Sequence, residues 1–384
     1  MRGTAFDDTY DATGFGTMSL NAGSRQQNNA FEGMGGNDSI TGNGLTQAQY
    51  TNALGGVTVE LDHPTSGVPG STGIAYGTDP GDVAQVGIDT FFGVYGVRGS
   101  NFGDFLHGSN GNDGFVGGGG DDFIDGRGGT DLANYGPAFD APTGGVDIHL
   151  ASGTVTGDGT DTLRSIERVR GTNFDDVYDA RDFGSAPYLD PDTSNVGSDG
   201  ANNEFEGMGG NDTIYGNGAT RLVYINATDG VTVDLAAGTA SGNASVGNDT
   251  IHGGVARLDG SNFDDTLSGS AASETIDGVR GNDRIAGGGG NDLLIGGLFD
   301  PAGDDTFVFA TGDGADTIQD FTAGAGSVDK IDLTGVAGIH SLDDVLAIAT
   351  QDGAATLIDF GGGDSLSLVN VVRETLSADD FVFA

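Results

Sequence analysis

The sequence predicts an all-β fold, a parallel β-roll or β-solenoid, from three observations. Nine-residue units recur in phase, each unit ends in a three-residue strand centred on an apolar side chain, and the segments between runs alternate apolar and polar residues. The first run, Gly99 to Asn134, reads GSNFGDFLH, GSNGNDGFV, GGGGDDFID and GRGGTDLAN. The second, Gly260 to Ile295, reads GSNFDDTLS, GSAASETID, GVRGNDRIA and GGGGNDLLI. Both follow G-G-x-G-x-D-x-U-x, where U is a large apolar residue, the pattern of a calcium-binding parallel β-helix repeat. One such unit in a glycine-rich chain says little. Eight in phase specify a fold.

The spacing has a geometric cause. The first six residues turn the chain sharply, and glycine permits positive φ values that other residues resist. The last three form a short strand whose middle side chain points inward, because successive side chains alternate between faces. Two units close one coil of about 18 residues, so each unit stacks on the next but one at roughly 4.8 Å. Turns then lie over turns, and carboxylates and carbonyls converge between them. Such an oxygen cage suits Ca²⁺, which takes about 6–8 oxygen ligands at roughly 2.3–2.6 Å. One large apolar residue per unit is a thin core, and stacked carboxylates repel. Calcium is therefore expected to be a condition of folding.

Composition sets outer bounds. The 384 residues carry 57 acidic and 14 basic side chains, a formal charge of −43, with Lys330 the single lysine. Seventy-three glycines put that residue far above its average usage of about 7%. Such a chain would be disordered without its metal. The charge argues against nucleic acid and anionic membrane as direct partners. With no cysteine, neither disulfides nor thiolate metal sites contribute. No Sec-type signal and no run of about 18 apolar residues is visible. Met1 precedes RGTAFDDTYD, the interior of a repeat, so the chain is expected to be one piece of a longer polypeptide, with an upstream domain.

Repetition extends past the nonapeptides. FEGMGGNDSITGNG at Phe31 returns as FEGMGGNDTIYGNG at Phe205, and RGTAFDD, RGSNFGD, RGTNFDD and DGSNFDD open blocks at Arg2, Arg98, Arg170 and Asp259. Spacer modules begin at Tyr50, Tyr135 and Tyr224. Each has a GGVTVEL-like strand, a small-residue turn, and GIDTFFGV, GTDTLRSI or GNDTIHGG. Val57, Val59 and Leu61, like Val231, Val233 and Leu235, have the period of a half-buried strand. The spacers are read as metal-poor coils without the phased Asp. After Phe309, Ser341 precedes Asp343 and Asp344 as an N-cap for a helix within 341–351, and ATLIDF and DSLSLVNV form the sheet's end. The organisation is thus a degenerate repeat and spacer module at 1–98, a phased block at 99–134, a spacer with isolated units at 135–259, a second phased block at 260–309, and a C-terminal cap at 310–384.

These features resemble the RTX, or hemolysin-type calcium-binding, family of secreted bacterial proteins. The GVTVDLAAGTASG…GNDTI segments are similar to spacers of its large members. The tail ending DDFVFA is similar to the uncleaved export signals read by type I secretion systems. The resemblance implies sites in which one turn gives its second and fourth carbonyls plus its Asp, and the turn above gives its first and third carbonyls plus its own. Carried over, one site uses Asp104 and Asp122 with carbonyls of Ser100, Phe102, Gly117 and Gly119. A second uses Asp113 and Asp131 with Ser109, Gly111, Gly126 and Gly128. In the later block Asp265 pairs with Asp283 and Glu274 with Asp292, with carbonyls of Ser261, Phe263, Gly278, Arg280, Gly287 and Gly289. Glu274 departs from the pattern, and a three-residue insertion before Asp305 deforms a site between Asp283 and Asp305. Asp8, Asp38, Asp176 and Asp212 sit in isolated units, with Asn29 and Asn203 one unit earlier as weak substitutes.

Catalytic signatures are missing. His63, His107, His149, His252 and His340 are dispersed, and no H-E-x-x-H, G-x-S-x-G or G-K-[ST] occurs. DPDTSNVGSDG at 190–200 lacks the glycine and closing Glu of an EF-hand loop. The expectation is a noncatalytic, extracellular or cell-surface calcium-binding roll whose partners are calcium ions and a type I secretion apparatus, without membrane insertion. The alternatives are the C-terminal targeting region of a secreted protease, lipase or polysaccharide-modifying enzyme, and the end of a large surface adhesin.

Overall fold

The computed structural model describes residues 1–15, 29–61, 73–136, 142–157, 159–297, 303–326 and 329–384. They form two compact units, Met1–Glu204 and Phe205–Ala384. Each is built almost wholly of short strands wound into coils with two sheet faces. No helix among the described residues is long and apolar enough to cross a membrane.

The coil length follows from strand register. In the first unit Phe105↔Phe123, Leu106↔Ile124 and Leu132↔Gly114 are parallel partners. In the second, Thr266↔Arg284 and Thr275↔Leu293 repeat the same offset. Stacking of each nonapeptide on the next but one is therefore observed. The apolar residue at the eighth position forms the core: Leu106, Phe115, Ile124 and Ala133, then Leu267, Ile276, Ile285 and Leu294, are all at most 1% exposed. Their neighbours at the seventh position, such as Phe105, face solvent. A one-residue slip would exchange the two sets, so burial fixes the register.

The spacers are not simple coils. Val57–Glu60, Gly73–Gly77 and the start of Ile88–Arg98 form an antiparallel meander. Its last strand lies parallel to Ser39–Gln49, the preceding coil, whereas its first lies parallel to Phe105–His107, the following one. Asp147–His149, Thr154–Gly157 and Gly159–Arg164 repeat the arrangement, as do Thr232–Asp234, Thr239–Ser241 and Asn248–Ile251 in the second unit. Each spacer widens one face by two strands, with small or β-branched residues inside: Ala75, Val155 and Ala240 are buried. The period-two strands keep their predicted burial at Val57, Val59, Leu61, Val231, Val233 and Leu235.

The C-terminal segment closes the second unit. The helix spans Leu342–Ile348, and the Ser341 hydroxyl accepts the Asp344 N–H at its start. It carries Leu342, Val345, Leu346 and Ile348 as the sequence predicts, and it ends where Ala349–Asp352 pairs antiparallel with Ala355–Gly361, which in turn pairs with Asp364–Leu368. The terminal Phe381–Val382 adds in parallel to Lys330–Gly335. Asp380, fully buried, accepts the N–H groups of Gly324 and Ser377. The tail is thus an integral strand of the sheet, and it covers an edge that would otherwise present unpaired backbone.

Candidate metal centre

The turns carry ladders of buried carboxylates. In the first unit the backbone N–H of Asp104 donates to Asp122 Oδ1 at 2.8 Å, and that of Asp122 to Asp161 Oδ1 at 3.0 Å. On the opposite edge Asp113 N–H donates to Asp131 Oδ1 at 2.7 Å, and Asp131 N–H to Glu167 Oε2 at 2.9 Å. In the second unit Asp265, Asp283, Asp305 and Asp329 form one ladder, with contacts of 2.8, 2.9 and 3.2 Å. Glu274, Asp292 and Asp316 form another, at 2.8 and 3.0 Å. The structure therefore stacks every pair of carboxylates named from the sequence. Glu274 occupies its rung despite its longer side chain. The insertion before Asp305 is four residues rather than three, since Arg284 pairs with Thr306 at an offset of 22 against the 18-residue coil; part of it lies outside the described residues, but Asp305 is stacked on Asp283.

Two expectations need correction. The spacers do contain an in-phase carboxylate: Asp89, Asp161 and Asp249 accept the N–H groups of Asp38, Asp122 and Asp212 at 2.9–3.0 Å. The tyrosine that opens each module donates its hydroxyl to this carboxylate: Tyr50 to Asp89, Tyr135 to Asp161 and Tyr224 to Asp249, at 2.9, 3.0 and 3.1 Å. The isolated units are also not isolated. Asp8 N–H donates to Asp38 Oδ1 at 2.7 Å, and Val146 N–H to Asp176 Oδ1 at 2.7 Å. These contacts give the stacking that sequence spacing hides. Asn29 and Asn203 give their amide oxygens to the hydroxyls of Tyr10 and Tyr178 instead.

Burial and like charge make these ladders unfavourable as bare anions. Asp131 is pushed up to about 8 by burial and by facing Asp113, Glu167 and Asp125. Asp283 is pushed up to about 9 by burial and by Asp265, Asp305 and Asp264. Burial raises Asp305 and Asp316 to about 7, again with carboxylate neighbours contributing. Among the described residues, Oδ2 of Asp38, Asp131, Asp283, Asp292 and Asp316 is buried without a hydrogen-bond partner. A buried carboxylate oxygen without a donor carries a full desolvation cost. Backbone carbonyls lie alongside: a Cβ on Gly126 would overlap both the Asp131 carboxylate and the Ser165 carbonyl, and one on Gly278 would overlap Asp283 and the Gly296 carbonyl. Only glycine leaves this space open. Anionic and carbonyl oxygens, all hard ligands, fit a calcium ion and offer nothing to a soft metal.

The histidines gather no such set. His107 and His149 lie 3.5–3.9 Å from surface-facing aspartates, and His63 lies outside the described residues. Loop 190–200 closes on itself through Asp190 and Asp192. The ladder carboxylates not read from the sequence are Asp89, Asp161, Asp249, Glu167, Asp316 and Asp329. GIDT, GTDT and GNDT were the available signal for the first three.

A family model described as the RTX calcium-binding nonapeptide repeat matches residues 26–44, 98–133, 198–220, 257–278 and 268–300. A search of curated proteins returns no match. Among solved structures, the crystal structure of the extracellular lipase LipA from Serratia marcescens aligns at 18% identity and a TM-score of 0.24. That alignment covers 73% of this chain and 40% of the lipase chain, so this chain spans about two fifths of that protein's length. Phased turns, buried carboxylate ladders and the repeat match together show that the chain carries RTX calcium-binding nonapeptide repeats.

Proposed function

We propose that this chain is a noncatalytic, secreted β-roll that folds when it meets calcium and thereby supports its own export through a type I secretion system. The observation that carries the reading is the buried carboxylate oxygens without donors, in a chain of formal charge −43. Asp131, Asp283, Asp292 and Asp305, with carbonyls from adjoining turns, would hold the ions. Bound calcium supplies the positive charge that lets stacked carboxylates remain ionised in a low-dielectric edge. Because the ligands converge only in the coiled state, binding and folding are coupled.

Compartment chemistry supports the secretion part. Extracellular calcium modules work in the range of about 10⁻⁴–10⁻³ M, far above cytosolic free calcium. The coils would remain unfolded inside the cell, pass a narrow channel, and fold outside. The C-terminal strand-and-helix cap is a natural nucleus and the segment that the export machinery would read. Far-UV circular dichroism tests the folding claim: millimolar Ca²⁺ should convert a disordered chain into β-structure, whereas Mg²⁺, which dehydrates reluctantly, should not. Equal β-content in chelator would exclude it. Deleting residues 331–384 should abolish type I export. Normal secretion of that truncated chain would leave the cap a purely structural role.

A further inference from the structure

The repeat turns fall into two conformational classes. In turns 33–38, 117–122, 126–131, 207–212, 278–283 and 287–292, the second and fourth residues are left-handed. Examples are Arg127 at φ 65° with Gly129 at 119°, and Val279 at 75° with Gly281 at 120°. In turns 3–8, 99–104, 108–113, 171–176, 260–265 and 269–274 the second residue is Ser or Thr, and neither of these positions has positive φ. Its hydroxyl accepts the N–H of the fourth residue at 2.9–3.2 Å. The same hydroxyl donates to the turn's own sixth-position carboxylate, as Ser100 does to Asp104 at 2.9 Å and Ser261 to Asp265 at 2.8 Å.

The backbone completes the lock. In the Ser/Thr turns the N–H of the second residue also donates to that carboxylate's Oδ2: Ser100 to Asp104, Ser109 to Asp113 and Ser261 to Asp265, each at 2.6 Å. Asp104 and Asp265 therefore have donors on both oxygens, with Val57 and Val231 N–H groups completing Oδ1. In the left-handed turns the corresponding Oδ2 of Asp38, Asp131, Asp283 and Asp292 has no donor, although these residues are at most 3% exposed. Oxygens of the next coil lie near them: the Ser165 carbonyl and Glu167 by Asp131, the Gly296 carbonyl and Asp305 by Asp283, and Asp316 by Asp292.

We propose that calcium occupies the interface above the left-handed turns 126–131, 278–283 and 287–292, between Asp131 and Glu167, Asp283 and Asp305, and Asp292 and Asp316, while the Ser/Thr turns below them are hydroxyl-locked ends with no ion above them. This inference rests on the calcium reading and fixes its register. It moves the sites one coil along from the pairs Asp113–Asp131, Asp265–Asp283 and Glu274–Asp292. A cation cannot replace the N–H and O–H donors that already fill the lower carboxylate without breaking them, whereas the upper interfaces present unpaired oxygens.

Calcium stoichiometry by equilibrium dialysis, with circular dichroism as a folding control, tests it. Asp305→Asn and Asp316→Asn should each lose one ion per chain, while the isosteric Asp265→Asn should keep the wild-type count. Ser109→Gly, which turns 108–113 into a GGNGND unit, should gain one ion, a result that no folding failure can mimic. Loss of an ion in Asp265→Asn with no loss in Asp305→Asn, or an unchanged count in Ser109→Gly, would overturn the register. A wild-type chain that binds no calcium would instead overturn the calcium reading itself.

Discussion

The phased block at 99–134 and the spacer that follows it use the same carboxylate ladder and close it differently. Asp131 ends in an oxygen with no donor, whereas Asp161, one ladder over, accepts the hydroxyl of Tyr135. A phenol is a neutral donor built into the chain, while a divalent cation must come from solution. The difference teaches that one fold can contain both a calcium-responsive edge and a constitutive one. The spacers, with their antiparallel meanders, are expected to supply framework, and the nonapeptide blocks to supply the switch.

Chelation should break this comparison most severely. Removing calcium exposes the phased blocks to uncompensated repulsion, and their β-structure should be lost almost completely, as read by circular dichroism and compaction. The next effect is acid rescue of the chelated chain. Asp131, Asp283, Asp305 and Asp316 have folded values of about 8, 9, 7 and 7, above the ordinary carboxylate near 3.9. The folded state then binds more protons than the unfolded state across that window, so stability falls as pH rises. Metal-free β-structure should be greatest near pH 4 and disappear by about pH 9; the opposite trend would contradict the burial of these groups.

Smaller effects separate the two kinds of edge. Tyr135→Phe or Tyr224→Phe leaves a buried carboxylate short of a donor and should cost about 1–3 kcal/mol in calorimetric unfolding of the calcium-loaded chain. Calcium stoichiometry should not change. Smallest is Ser341→Ala at the helix start, about 1 kcal/mol, with no dependence on calcium. A calcium-dependent effect there would show that the cap and the ladders are one energetic unit.

Much of the coil was legible because its signals are local and periodic. The nonapeptide offset, the buried Leu106 and Ile124, the alternating Val57 and Val59, and the Ser341 cap all follow from spacing within a few residues. The spacer meanders were not legible, since a strand such as Gly73–Gly77 has weak alternation and its direction depends on distant partners. The Tyr50–Asp89 and Tyr135–Asp161 pairs join residues far apart in sequence, outside any nonapeptide phase. The division between hydroxyl-locked and left-handed turns was written at the second position all along. A pattern that tolerates Ser there conceals it, because the consequence is a backbone conformation rather than a change of fold.

Residue-resolved amide hydrogen exchange, with and without calcium, tests the central claim most directly. The account predicts that strands Phe123–Asp125, Leu132–Asn134, Arg284–Ala286 and Leu293–Ile295 gain protection steeply as calcium is added and lose it in chelator. Equal protection of these four strands in both conditions would contradict it.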